Sequence, residues 1–118
     1  MQAMRVLRSL QCYAPFVRPM KFRAYNEATK RLGWRVEPEF KYLCRLAPVG
    51  LALDIGGNWG QSIYALERTA KPARTISFEP NPVLAARLEN EFSSLARVEI
   101  RSCALGNVAG EFDLFVPQ

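Results

Sequence analysis

The run Leu53-Asp54-Ile55-Gly56-Gly57-Asn58-Trp59-Gly60-Gln61-Ser62 holds a strand end, a tight glycine bend and a helix start within ten residues. Upstream, residues 51–55 (LALDI) are a short apolar stretch with glycine on both sides, which predicts a strand. Downstream, Ile63, Leu66 and Ala70 recur at helical spacing and predict a helix over 61–69 with those residues inward. Gly56 and Gly60 let the backbone turn sharply and come close to a ligand without a Cβ in the way. The first turn of the following helix aims its unpaired N–H groups back at the bend. Open α/β sheets bind their ligands at such a junction.

The same alternation continues toward the C-terminus. Residues 74–78 read as a second strand, and Asn81-Pro82 opens a helix, with asparagine as N-cap and proline in the first turn. Its inward stripe is Leu84, Leu88 and Phe92. Residues 98–102 read as a third strand. A turn over 106–110 leads into an alternating stretch, 111–116, expected as a terminal antiparallel strand. Strands alternating with helices predict a parallel sheet, and 51–78 has the length of one β-α-β unit.

Before Pro48 the periodicity is helical. Val6, Leu7, Leu10 and Tyr13 predict a first helix stopped by Pro15. Phe22, Tyr25, Ala28 and Leu32 form the stripe of a second, ended by Gly33, and residues 38–46 read as a third with Phe40 and Leu43 on one face. Two regions follow: a basic helical extension, 1–47, and a Rossmann-like α/β domain, 48–118.

Composition narrows the chemistry. The 118 residues are 49% hydrophobic, enough for one modest core. No run of about 18 apolar residues occurs, so no membrane span is expected. Arg5 and Arg8 interrupt the apolar run at the start, so no secretory signal is expected either, and the expected location is the cytoplasm. Cys12, Cys44 and Cys103 are scattered and the chain has no histidine, which argues against a zinc site and against Ser-His or Cys-His nucleophiles. The three thiols are expected reduced and mostly buried. Residues 1–36 hold eight basic side chains against Glu27, whereas 37–118 hold eight basic and ten acidic, so the +5 charge belongs to the N-terminal region. That region is suited to peripheral contact with an anionic surface or to plain solvation; no nucleic-acid partner is expected.

Spacing separates the ligand classes that use a glycine bend. A dinucleotide fingerprint G-x-G-x-x-G counted from Gly56 meets Asn58 and Gln61 where glycines belong. A P-loop counted from Gly56 meets Gln61 in place of its second glycine and has no lysine after it. The remaining class has an acidic residue just before the first glycine, as Asp54 is here, and binds S-adenosylmethionine. A carboxylate there supplies the negative charge that a sulfonium favours.

The second motif is Ile76-Ser77-Phe78-Glu79-Pro80-Asn81-Pro82. Glu79 closes the second strand, 19 positions beyond Gly60, where an acidic side chain can accept hydrogen bonds from both ribose hydroxyls. Charge-assisted bonds of that kind contribute about 1.5–3 kcal/mol each.

Together, D-I-G-G-N-W-G-Q-S, I-S-F-E-P-N-P, the C-A-L-G segment at 103–106 and E-F-D-L-F-V resemble the FkbM-type methyltransferases, over residues 38–118. The resemblance implies a class I methyltransferase fold. It implies S-adenosylmethionine contacts at Asp54, Gly56, Gly57, Asn58, Gly60 and Glu79, and adenine contacts near Ser102, Cys103 and Ala104. It also implies transfer of a methyl group to the oxygen of a small molecule or sugar. Gly57 stands where the family usually has alanine, a small-for-small change expected to leave the loop unaltered, and the bulkier Trp59 is expected to narrow the pocket entrance. Family members continue with a fourth core strand carrying a K-x-D-x-E-G-like motif. The resemblance therefore implies an incomplete domain whose strand 51–55 is left as an open edge, and it assigns no catalytic residue to this chain. The alternatives are a non-catalytic module that keeps the half-fold and, against the failed glycine spacing, a nucleotide-dependent oxidoreductase.

Overall fold

The computed structural model describes residues 17–33 and 38–115. Helix α1 (Val17–Leu32) ends at Gly33, whose φ of 65° and N–H bond to the Thr29 carbonyl (3.0 Å) close the last turn. Helix α2 (Pro38–Tyr42) passes into a 3₁₀ turn, Leu43–Arg45. Then come β1 (Leu51–Ile55), α3 (Gln61–Thr69), β2 (Arg74–Phe78), α4 (Pro82–Phe92) and β3 (Val98–Arg101). The expected N-cap of α4 is present: Asn81 Oδ1 accepts from the backbone N–H groups of Val83 (3.0 Å) and Leu84 (3.4 Å).

The three strands form one parallel sheet in the order β1-β2-β3. Its register sets Ala52, Thr75 and Val98 in one cross-strand row and Asp54, Ser77 and Ile100 in another. Because side chains alternate along a strand, both rows lie on the same face. Val98 and Ile100 there pack against Ile63 of α3 and Leu88 and Phe92 of α4, the buried core. Helices therefore cover that face. Leu51, Leu53 and Ile55 occupy the opposite face of the edge strand β1 and are 53, 57 and 70% exposed. Among the described residues no helix is long and apolar enough to cross a membrane.

Several expectations change. Residues 111–115 form no strand and are exposed, Phe112 and Phe115 at 81 and 87%. Alternation supplies a strand with two faces, but a strand also needs an edge to pair with, and β3 offers this segment none of its hydrogen bonds. The terminal antiparallel strand is therefore absent from the described residues, and Val116 lies outside them. The helix expected over 38–46 is shorter and tightens into the 3₁₀ turn, and the third strand stops at Arg101 rather than 102. In α1 the deepest residues are Asn26 and Thr29, 2 and 1% exposed, whereas Leu32 of the expected stripe faces solvent. Cys44 and Cys103 are exposed, contrary to the expectation of buried thiols: one lies in a short turn and the other just past a strand end, neither beneath a helix. Cys12 and the first expected helix lie outside the described residues.

Candidate functional site

The bend between β1 and α3 folds over the end of β2. The N–H groups of Gly56 (2.8 Å) and Gly57 (3.1 Å) both donate to the carbonyl of Phe78, the last residue of β2. The Gly60 N–H donates to the Gly57 carbonyl (2.8 Å), completing a turn whose last residue caps α3. Three residues of the bend are left-handed: Gly56 at φ 89°, Asn58 at 48° and Gly60 at 84°. Asparagine tolerates that region better than other side chains. A Cβ at Gly56 would meet nothing within 4 Å, so this side of the bend is open. At Gly60 it would meet Phe92 Cε2 at 3.0 Å and Leu88 Cδ2 at 3.1 Å, so the same loop is pressed against the core on its other side.

Glu79 follows β2 directly and is 5% exposed. Its Oε2 accepts from the Asn58 N–H (2.7 Å) and its Oε1 from the Asn81 N–H (2.8 Å). One carboxylate thus ties the glycine bend to the start of α4, where the helix dipole favours negative charge. Each oxygen keeps a second lone pair for another donor.

Asp54 lies on the helix-covered face, 7% exposed, and its Oδ2 accepts from the Ser77 hydroxyl (2.7 Å). The same oxygen sits 3.6 Å from where a Cβ at Gly57 would be. Asp54 and Glu79 therefore belong to one end of the sheet, below and beside the same bend.

The structure brings together Asp54, Gly56, Gly57, Asn58, Gly60 and Glu79. Ser102 and Cys103 come after β3, one strand farther along. Cys103 lines a cavity of about 520 Å³ with Pro80, Ala104, Leu105, Phe112 and Leu114; Ser102 is exposed and is not part of that lining. Pro80 links the cavity to Glu79.

Gly57 is a correction. The small-for-small exchange with alanine is not neutral in this chain, because a Cβ at 57 would overlap Ser77 Oγ and approach Leu88 Cδ1 to 2.9 Å. Ser77 cannot simply swing aside without giving up its bond to Asp54.

A second group of residues emerges only in three dimensions. The Trp59 ring stacks on Phe22 of α1 (5.2 Å between centroids, 12° between planes) and lies 4.4 Å from the Arg87 guanidinium of α4. Its carbonyl accepts from Asn26 Nδ2 (2.7 Å) and Arg87 Nη1 (3.5 Å). Arg87 also pairs with Glu91 (2.5 Å), which accepts from the Tyr64 hydroxyl (2.8 Å). Burial, and then the bond to Glu91, push the Tyr64 phenol well above its ordinary range. The trace of this cluster in the sequence was an asparagine four residues after Phe22, within the apolar stripe of α1.

Comparison with protein-family models gives no match, and comparison with curated proteins gives none.

Proposed function

We propose that this chain binds S-adenosylmethionine at the carboxyl ends of β1 and β2 and serves methyl transfer to an oxygen of a small-molecule or sugar acceptor. The observation that carries the reading is Glu79. Its carboxylate is nearly buried, aligned by two backbone N–H groups, and set against a glycine bend whose Gly56 side is open. A carboxylate held this way accepts from paired ribose hydroxyls with little loss of side-chain entropy. Asp54 adds negative charge beneath the bend, as a cationic sulfonium ligand favours. The cavity lined by Pro80 and Cys103, with Pro80 next to Glu79 in the chain, supports the reading by leaving room for a base attached to that ribose. When bound, the sulfonium supplies an activated methyl group; the residues named here hold and orient it, and none is assigned a proton-transfer role.

Titration with S-adenosylhomocysteine tests the reading. Binding is expected with a Kd on the order of micromolar, about −8 kcal/mol. Glu79→Gln should weaken it about ten- to a hundred-fold, the range of one charge-assisted hydrogen bond. Glutamine has one acceptor oxygen for the two backbone N–H groups that Glu79 holds, so binding of an analogue without ribose hydroxyls should also weaken, but by a smaller factor than that of S-adenosylhomocysteine does. Absence of binding at millimolar ligand by a folded wild-type chain would end the proposal.

The exposed apolar edge of β1 favours a second reading, a non-catalytic module that offers this strand to another protein. A cooperative melt that S-adenosylhomocysteine leaves unshifted would favour it.

A further inference from the structure

The glycine bend is gripped from two sides. From the sheet side, Glu79 holds the Asn58 N–H and Phe78 holds the N–H groups of Gly56 and Gly57. From the helix side, Asn26 holds the Trp59 carbonyl while Phe22 and Arg87 hold its ring. The Asn58 N–H and the Trp59 carbonyl bracket the left-handed Asn58, so the bend cannot relax that conformation without breaking one grip or the other.

We infer that α1 is a working part of the ligand site, with Phe22 and Asn26 as positioning residues that act through Trp59 to keep the glycine bend in its binding shape. Asn26 gives the clearest sign. It is 2% exposed and its Oδ1 is buried with no hydrogen-bond partner among the described residues. Buried polar atoms are nearly always paired, and an apolar side chain at 26 would avoid the desolvation altogether. What asparagine supplies that an apolar residue does not is the Nδ2 bond to the Trp59 carbonyl, 33 residues away. Phe22, one helical turn earlier on α1, reaches the same tryptophan. Lys30, two turns beyond Phe22, has its carbonyl bonded by Arg68 of α3 (3.2 Å), so α1 is fastened along its length to the helix that the bend opens. Displacing α1 takes Asn26 and Phe22 out of the helix-side grip and leaves Trp59 to Arg87 of α4 alone, and ligand affinity therefore depends on α1 being docked.

The inference rests on the proposed ligand, but its mechanical part can be read separately. The chain has two tryptophans, Trp34 and Trp59, so Trp34→Phe leaves Trp59 as the sole indole reporter. In that full-length background, Asn26→Ala touches the Trp59 carbonyl and not its ring. It should nevertheless raise acrylamide quenching of Trp59 and weaken S-adenosylhomocysteine about ten-fold, the order of one buried hydrogen bond. Phe22→Ala should do the same, and Phe22→Tyr, which keeps the stacked ring, should restore both. Val98→Ala, in the core at the end of the sheet opposite the bend, serves as a stability control and should leave quenching and affinity unchanged. Equal loss of affinity in Val98→Ala at a matched melting temperature would overturn the inference. So would wild-type quenching in Asn26→Ala. If the wild type takes no S-adenosylhomocysteine, the ligand reading falls and quenching alone decides: protection lost in Asn26→Ala supports the grip by α1, and protection retained overturns it.

Discussion

On one face of the sheet, Asp54, Thr75 and Ser77 are buried beneath α3 and α4; on the other, Leu51, Leu53 and Ile55 of β1 stand largely in solvent. Polarity alone would have assigned the two faces the other way round. The buried polar groups are tolerated because they satisfy one another: Ser77 donates to Asp54 and Thr75 donates to Glu67 (3.4 Å). The exposed apolar groups persist because no described element lies over β1 on that side. Function, on our reading, belongs to the covered face and its carboxyl-terminal rim, where burial aligns Asp54 and Glu79 around the bend. The open face is a liability or an interface, but it positions none of the site residues.

The difference is broken most sharply by paired truncations. Leu88→Ala removes a fully buried side chain from the covered face and should cost about 2–5 kcal/mol. Leu53→Ala on the open face should change stability by less than about 0.5 kcal/mol while reducing light scattering at high protein concentration. Urea unfolding of the two variants measures the contrast, and equal costs would mean that the open face is covered in solution.

A finer probe lies under the bend. Gly57→Ala should destabilise by about 1–3 kcal/mol through overpacking against Ser77 and Leu88. Adding Ser77→Ala should recover part of that loss by clearing the overlap, even though Ser77→Ala alone removes the partner of Asp54. Strictly additive costs in the melts would show that the two positions do not meet.

The smallest effect is expected at Glu99. Hydrogen bonds from Arg74 and then Arg101 hold its carboxyl below the usual range, so any stability it adds is present above the ordinary glutamate pKa. That contribution fades as pH falls through the lowered value. The three side chains lie at the surface and are partly exposed, and Glu99→Ala should leave the melting midpoint at pH 7 within experimental scatter. A clear drop would give this surface cluster a weight that its exposure argues against.

Much of the architecture was legible because it is written in local chemistry. Glycines at 56 and 60 announced a sharp bend, Asn81-Pro82 announced a capped helix, and the apolar spacing of Leu88 and Phe92 named the inward face of α4. Asp54 and Glu79 could be marked as a pair because a β-α-β unit fixes roughly where successive strand ends fall. The alternation at 111–115 misled, since a strand is completed by pairing and no periodicity reports whether the chain turns back onto the open edge of β3. The apolar stripe of α1 misled in a similar way: it pointed toward Leu32, whereas packing against α3 selected Asn26 and Thr29.

By itself, then, the sequence determined the order of strands and helices between residues 51 and 101, the parallel β-α-β connection, and the position of a glycine bend between two carboxylates. Those features depend on residues a few positions apart, whose backbone preferences act wherever the chain is placed. Only the tertiary structure decided that Ser77 leaves no room for a methyl group at Gly57, that Glu79 binds two backbone amides at once, and that α1 reaches over to hold Trp59. Each of these depends on at least one contact between residues 20 or more positions apart, and van der Waals overlap and hydrogen-bond geometry are decided over tenths of an ångström, which no sequence pattern encodes.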